Sequence, residues 1–130
     1  MIVVTGATGF LGSVLTRQLL EAGHAVRGLK RSSSIIPHFL ENQPKLTWLE
    51  GDICDPYLVE ELLAGATQVY HTAAVISFNT AAKKYMLHTN VTGTATVVDA
   101  CLTHQGIRLV HVSSVAALGE VKPGTAITEE

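Results

Sequence analysis

The chain opens on an apolar run, Ile2-Val3-Val4, that passes through Thr5 into glycines at 6, 9 and 12. Behind them the apolar spacing becomes helical. Leu11, Val14, Leu15, Leu19 and Ala22 share one face, and Gly23 stands where a helix C-cap belongs. The same alternation continues along the chain. It predicts strands over 1–5, 25–30, 46–50, 68–71 and 108–112. Helices are predicted over 9–22, 56–63 and 90–104, with a shorter one over 80–88. Ile2-Val3-Val4 and Leu109-Val110-His111-Val112 are nearly continuous apolar runs, as expected of strands buried on both faces of a parallel sheet. Strands alternating with helices through right-handed crossovers give a doubly wound α/β sheet of at least five strands. The expected strand order is 3-2-1-4-5, with ligands at the strands' carboxyl ends near the switch point. Residues 31–44, with Ser32-Ser33-Ser34 and Pro37, read as a loop holding one helical turn.

Composition narrows the class. The 130 residues fit one domain, and at 47% hydrophobic and 15% charged they can bury a substantial core. A net charge of −2 gives no electrostatic footprint for nucleic acid. No apolar stretch approaches the roughly 18 residues of a membrane span. Only four residues precede Thr5, so no secretory signal is expected, and a cytoplasmic setting with Cys54 and Cys101 reduced follows. The six histidines do not pair at ligand spacing, and no metal is expected.

The chemistry begins at the glycines. A strand turning through them into a helix suits a dinucleotide pyrophosphate: one glycine for the tight turn, one for close backbone approach, one for helix–strand packing. The helix dipole then faces the anion. Lys30 and Arg31 end the second strand where an NAD site carries an acid. A cation there pairs with a 2′-phosphate, so the sequence leans towards NADP over NAD; the bland reading is a solvated basic loop. Asp55 with Pro56 is a helix N-cap and first-turn pair. Asp52 either reaches an adenine amino group or caps the same helix. His71-Thr72-Ala73-Ala74 ends the fourth strand in small residues against which a flat cofactor can lie, or which simply pack closely, and His71 reads as a packed histidine. Asn90 either caps the long helix or bonds backbone groups of the neighbouring strands. Ser113-Ser114 reach the same sheet edge as the glycine turn, as substrate contacts or as turn residues. No G-x-S-x-G elbow supports a nucleophile.

Together, the segments TGATGFLG, GDICDP, HTAA, NVTGT and VHVSSVAALG resemble the extended short-chain dehydrogenase/reductase family, in its order and over nearly the whole chain. The branch most resembled is that of dihydroflavonol reductases and 3β-hydroxysteroid dehydrogenases, within the NAD-dependent epimerase/dehydratases. The resemblance implies a Rossmann fold with Gly6, Gly9 and Gly12 forming the pyrophosphate loop, and Phe10 and Leu11 starting the helix over it. Lys30 replaces the acid of the NAD-using epimerases, and Arg31 matches the arginine that takes the 2′-phosphate. Asp52 and Ile53 match the pair beside adenine. Ala73, Ala74 and Val75 match the stretch along the nicotinamide-side ribose. Ser114 matches the catalytic serine that orients the substrate oxygen, and Asn90 a structural asparagine. Thr8 and Ser113 join the cofactor contacts. Ile76, Phe78 and Asn79 fall in a loop expected to line a substrate pocket.

One departure is large. The family's Y-x-x-x-K motif, whose tyrosine is its general acid/base, does not follow Ser114, and the tyrosines at 57, 70 and 85 all precede it. General acid–base transfer is typically worth about 10²–10⁴-fold. The ending Thr128-Glu129-Glu130 resembles the acidic stretch before the tyrosine helix, so the expectation is a chain cut short of that helix and of the substrate-binding region. The full protein is then expected to be a homodimeric enzyme passing hydride between NADP(H) and an alcohol/ketone pair that is sterol-, flavonol- or sugar-like. The 130 residues alone are expected to be inactive. Competing readings are a nucleotide-sugar epimerase or dehydratase, a non-catalytic NAD(P)-binding regulator, and an interaction domain without ligand.

Overall fold

The computed structural model describes residues 1–119 and Gly124. The expectations for the ending at 128–130 lie outside the described residues. The five strands are β1 (Ile2–Thr5), β2 (Val26–Lys30), β3 (Leu46–Glu50), β4 (Gln68–His71) and β5 (Arg108–His111). They form one parallel sheet in the order β3-β2-β1-β4-β5, as the alternation predicts. The helices are α1 (Phe10–Glu21), α2 (Pro56–Leu63), α3 (Lys83–Leu87) and α4 (Gly93–Thr103). A single 3₁₀ turn, His38–Leu40, occupies the serine-rich loop. None of the described helices is long and apolar enough to cross a membrane.

The strand period of two sorts the core into two layers. Ile2, Val4 and Val26 meet Leu15, Leu19 and Leu20 of α1. Val3, Leu29 and Val69 point the other way, onto Val59, Leu62 and Leu63 of α2 and Val97 and Ala100 of α4. All four residues of β1 are buried, as expected of a central strand. The same expectation fails for β5. It lies at the sheet's edge, with Leu109 and Val110 only half-buried and His111 exposed. Three contacts set the helices. Asp55 caps α2 by accepting from the N–H groups of Tyr57 and Leu58. Arg27 Nη1 donates to the carbonyls of Glu61, Leu62 and Ala64 at 3.0, 2.9 and 3.2 Å, closing the other end of that helix from the sheet. The N–H groups of Gly23 and His24 return to the carbonyls of Leu20 and Leu19, ending α1 in a Schellman motif.

Two expectations about helices are corrected. The buried face of α1 runs through Gly12, Ser13 and Thr16, while Leu11 and Ala22 are exposed. Close approach to the sheet requires small residues, so the apolar side chains pack around that face instead of on it. The helices expected over 80–88 and 90–104 are one continuous structure. A 3₁₀ turn at Thr80–Ala82 runs into α3, then a π-helical turn at His88–Thr92, then α4. Asn90 therefore caps nothing.

Thr16 Oγ1 is buried with no hydrogen-bond partner among the described residues. An unpaired buried hydroxyl costs about 1–3 kcal/mol. Thr16→Val keeps the shape and removes that group. It is expected to raise stability by about 1 kcal/mol, read as a higher urea midpoint at constant slope.

Candidate functional site

The β1–α1 junction is built by steric exclusion. Gly6 has φ +69, and a Cβ there would sit 2.8 Å from the Ala73 nitrogen. A Cβ on Gly12 would lie 2.2 Å from the Gly6 carbonyl oxygen and 2.7 Å from Thr72 Oγ1. The turn thus nests against the end of β4 with no room for side chains. Its own bonds are Gly9 N–H to Gly6 O and Ser13 N–H to Gly9 O, both 2.9 Å. No side chain caps α1, and its first turn holds no acidic residue, so the helix start offers N–H donors and a positive dipole end.

Four strand ends and one helix converge on a cleft here. Gly6, Thr8 and Gly9 follow β1, and Leu29, Lys30, Arg31 and Ser34 come from the end of β2 and its loop. Asp52 and Ile53 follow β3, Thr72 through Val75 follow β4, and Tyr85 and Thr89 stand opposite on the α3 side. The cleft lies beside β1 and β4, where the strand order reverses, the position where open α/β sheets bind ligands.

Ten of the residues singled out from the sequence line this cleft: Gly6, Thr8, Gly9, Lys30, Arg31, Asp52, Ile53, Ala73, Ala74 and Val75. Five do not. Gly12 is buried against Gly6, Phe10 is 95% exposed and Leu11 half exposed. Ser113 and Ser114 follow β5 and are exposed. His71 and His111 are paired in register, so these serines sit alongside the small residues after β4. Ser114 Oγ accepts the Ala116 N–H at 3.2 Å and starts a 3₁₀ turn. Thr72 of the HTAA segment lines the cleft too, as do Leu29, Ser34, Tyr85 and Thr89, to which no sequence motif points.

Charge in the cleft is uneven. Lys30 is paired with Glu50, the residue opposite it in the β2–β3 register. Arg31 has no carboxylate partner among the described residues, and its Nη1 donates to Tyr85 Oη at 2.9 Å. Ser34 Oγ accepts the Arg31 N–H at 3.0 Å, and the Ser34 N–H returns to the Arg31 carbonyl at 2.9 Å. Asp52 does not cap α2. Its Oδ1 accepts the Cys54 N–H at 2.9 Å in a local turn, because Asp55 already fills the cap.

The floor is held by polar side chains from several elements. Thr72 Oγ1 donates to the Thr5 carbonyl at 2.7 Å, and the Ala73 N–H donates to Thr5 Oγ1 at 3.3 Å. Thr5 Oγ1 also bonds His71 Nδ1 at 2.7 Å, and His71 Nε2 bonds Thr94 Oγ1 of α4 at 2.9 Å. His71 is buried and stacks on His111 with ring centroids 5.1 Å apart. Burial, then the neighbouring His111, lowers its pKa from 6.5 to about 4, so it is neutral at physiological pH. Asn90 clamps the loop after Ala74: its Oδ1 accepts the Val75 N–H at 2.8 Å and its Nδ2 donates to the Val75 carbonyl at 2.9 Å.

This arrangement has relatives. A profile of the NAD dependent epimerase/dehydratase family matches residues 2–130. The chain belongs to that family. It is 42% identical over 117 residues to a provisionally named dihydroflavonol 4-reductase of Synechocystis sp., covering 89% of the chain and 33% of the relative. It is 33% identical over 122 residues to mouse 3 beta-hydroxysteroid dehydrogenase type 7, covering 90% of the chain and 33% of the relative. Its fold superposes on the Bordetella bronchiseptica enzyme WbmH, solved in complex with NAD+, at a TM-score of 0.82 and 31% identity, covering 95% of the chain and 42% of that structure. The resemblance to dihydroflavonol reductases and 3β-hydroxysteroid dehydrogenases is thereby borne out. The chain spans about a third of the length of these curated family members.

Proposed function

We propose that this chain is the cofactor-binding part of an NADP(H)-dependent oxidoreductase acting on an alcohol/ketone pair. The observation that carries the reading is the convergence of the capless α1 start, the small-residue floor at 72–75 and the Arg31–Ser34 turn on one cleft. In this reading the pyrophosphate lies on the Gly6–Gly9 turn, adenine lies beside Asp52 and Ile53, and the nicotinamide half runs along Ala73, Ala74 and Val75. Lys30 is neutralised by Glu50, so the 2′-phosphate falls to Arg31 and Ser34. Ser114 orients the substrate oxygen. Its Oγ accepts locally from Ala116, which leaves the hydroxyl proton for a substrate. Bound NADP(H) supplies the hydride. The names of the reductase and hydroxysteroid dehydrogenase relatives support the reaction class.

A family epimerase or dehydratase would use the same cofactor half but return the hydride, so net NADPH consumption by the whole protein separates the two. The reading includes a homodimer through the long helix, supported by exposed Leu87, Val91 and Leu102. It also includes a reducing compartment, supported by the free thiols of Cys54 and Cys101.

Titration with NADPH and NADH tests the cofactor assignment. One charge-assisted phosphate contact is worth about 1.5–3 kcal/mol, so NADPH is expected to bind at least about tenfold tighter. Arg31→Ala is expected to bring the two within about twofold. Equal affinities in the unsubstituted chain would exclude the 2′-phosphate site, and no binding of either would exclude the whole reading.

A further inference from the structure

The hydrogen bond from Arg31 to Tyr85 joins residues 54 positions apart across the mouth of the cleft. We propose that Tyr85 is a specificity-determining residue, which holds the Arg31 guanidinium at the adenosine end and thereby sets the preference for a 2′-phosphorylated ligand. This inference rests on the NADP reading above.

The argument starts with flexibility. An arginine at the exposed end of a strand carries about 2 kcal/mol of rotamer entropy, most of which is lost when it grips a phosphate. A side chain already held in place loses less on binding. Arg31 is held from two sides. Its backbone is fixed by the reciprocal bonds with Ser34, and its guanidinium by Tyr85. A guanidinium has five N–H donors, so one bond to Tyr85 leaves the others for a ligand. Tyr85 accepts in that bond, so its part is to hold the guanidinium in place. The contact also keeps the Arg31 charge whole. A carboxylate partner would neutralise it, as Glu50 does for Lys30, whereas a phenol does not. Both side chains line the same cleft as Asp52 and Ile53, and Arg31 directly follows β2, where the reading above puts the 2′-phosphate.

The test uses ligands that need only this half of the cleft: adenosine 2′,5′-bisphosphate and adenosine 5′-monophosphate. Calorimetric titration of the 130-residue chain is expected to show a strong preference for the bisphosphate. Tyr85→Phe is expected to weaken the bisphosphate about threefold to tenfold, the range expected for one newly mobile side chain, and to leave the monophosphate within about twofold. Tyr85 is half exposed, so the phenylalanine variant keeps the fold, which an unchanged melting temperature checks. In an Arg31→Ala background, Tyr85→Phe is expected to do nothing more, because Tyr85 acts through Arg31. The inference is overturned if Tyr85→Phe shifts both ligands equally, shifts neither, tightens the bisphosphate, or keeps its effect without Arg31. If the unsubstituted chain binds both ligands equally, the NADP reading itself has failed. A preference abolished by Arg31→Ala but untouched by Tyr85→Phe sinks only the role of Tyr85.

Discussion

Gly12→Ala is expected to be the most damaging of the glycine-to-alanine changes in this chain. The new Cβ would stand 2.2 Å from the Gly6 carbonyl oxygen and 2.7 Å from its carbon. Both are backbone atoms of a turn that is itself pressed on Ala73, so neither can give way. Alanine regains about 1 kcal/mol of helix propensity. Overpacking costs about 1–3 kcal/mol where neighbours can shift, and here they cannot. A net loss of at least about 2 kcal/mol is expected in urea unfolding, with nucleotide binding weakened at least about tenfold because the turn must open. Gly9→Ala is the control. Its φ is −79 and its Cβ would meet only the Gly6 oxygen, at 3.2 Å. It is expected to cost a few tenths of a kcal/mol. Equally small stability losses in the two variants would mean that the glycines serve the ligand alone and not the packing of the turn.

That contrast marks how far the chain could be read before its structure. The strand–glycine–helix junction and the Asp55–Pro56 start of α2 were legible because each depends on residues close in sequence, and the strand order because strands alternating with helices through right-handed crossovers allow few arrangements. The glycine spacing implied close approach; Gly12 is crowded first by the Gly6 carbonyl, but the wall that stops Gly6 from yielding comes from Thr72 and Ala73 after β4. Lys30 ends β2 where a phosphate ligand is expected. Its neutralising partner is set by strand register, and Glu50 becomes visible only once β2 and β3 are aligned. Tyr85 and Thr89 were missed because nothing local marks them; a helix folding back over the cleft brings them in. Asn90 carried a cap signal in an apolar–polar pattern that breaks there. Its side chain instead satisfies the backbone of Val75.

A stability profile that falls with acid is the second large effect expected. His71 titrates at about 4 in the folded chain, well below its ordinary value of 6.5. Between those values the unfolded chain binds a proton and the folded chain does not. Stability therefore rises with pH across this window and is lost as pH falls from about 6.5 towards 4. Each unit of separation is worth 1.36 kcal/mol, so the whole window is worth up to about 3 kcal/mol. The cause is burial, reinforced by the stacked His111, with Thr5 and Thr94 on the two ring nitrogens. Urea midpoints at pH 7, 6, 5 and 4 would read it. His71→Gln is expected to be less stable at pH 7 but to show a distinctly shallower fall below pH 6.5. Carboxylates titrating at the lower end contribute equally to both proteins, so the difference between the two slopes isolates the histidine. Parallel slopes would rule it out. Because Thr5 Oγ1 bonds both His71 and the Ala73 N–H, loosening of the cleft floor is expected to accompany the loss.

The π-helical turn at His88–Thr92 can be restated as a matter of phase. Tyr85 and Thr89 line the cleft, while Gly93, Val97 and Ala100 are buried. In an uninterrupted α-helix, 12 residues from Tyr85 to Val97 sweep about 1200°, three full turns and about 120° more. A ligand-facing residue and a core-facing residue at that separation would drift a third of a turn out of alignment. The π turn takes up one residue without its usual rotation of about 100° and cancels most of that drift. One rod can therefore keep a single side towards the sheet, first at the cleft and then in the core. Wound as α-helix throughout, the same residues would turn the cleft end about a third of a turn away, whereas deleting one residue from that turn would leave a regular helix with its two ends still about in phase.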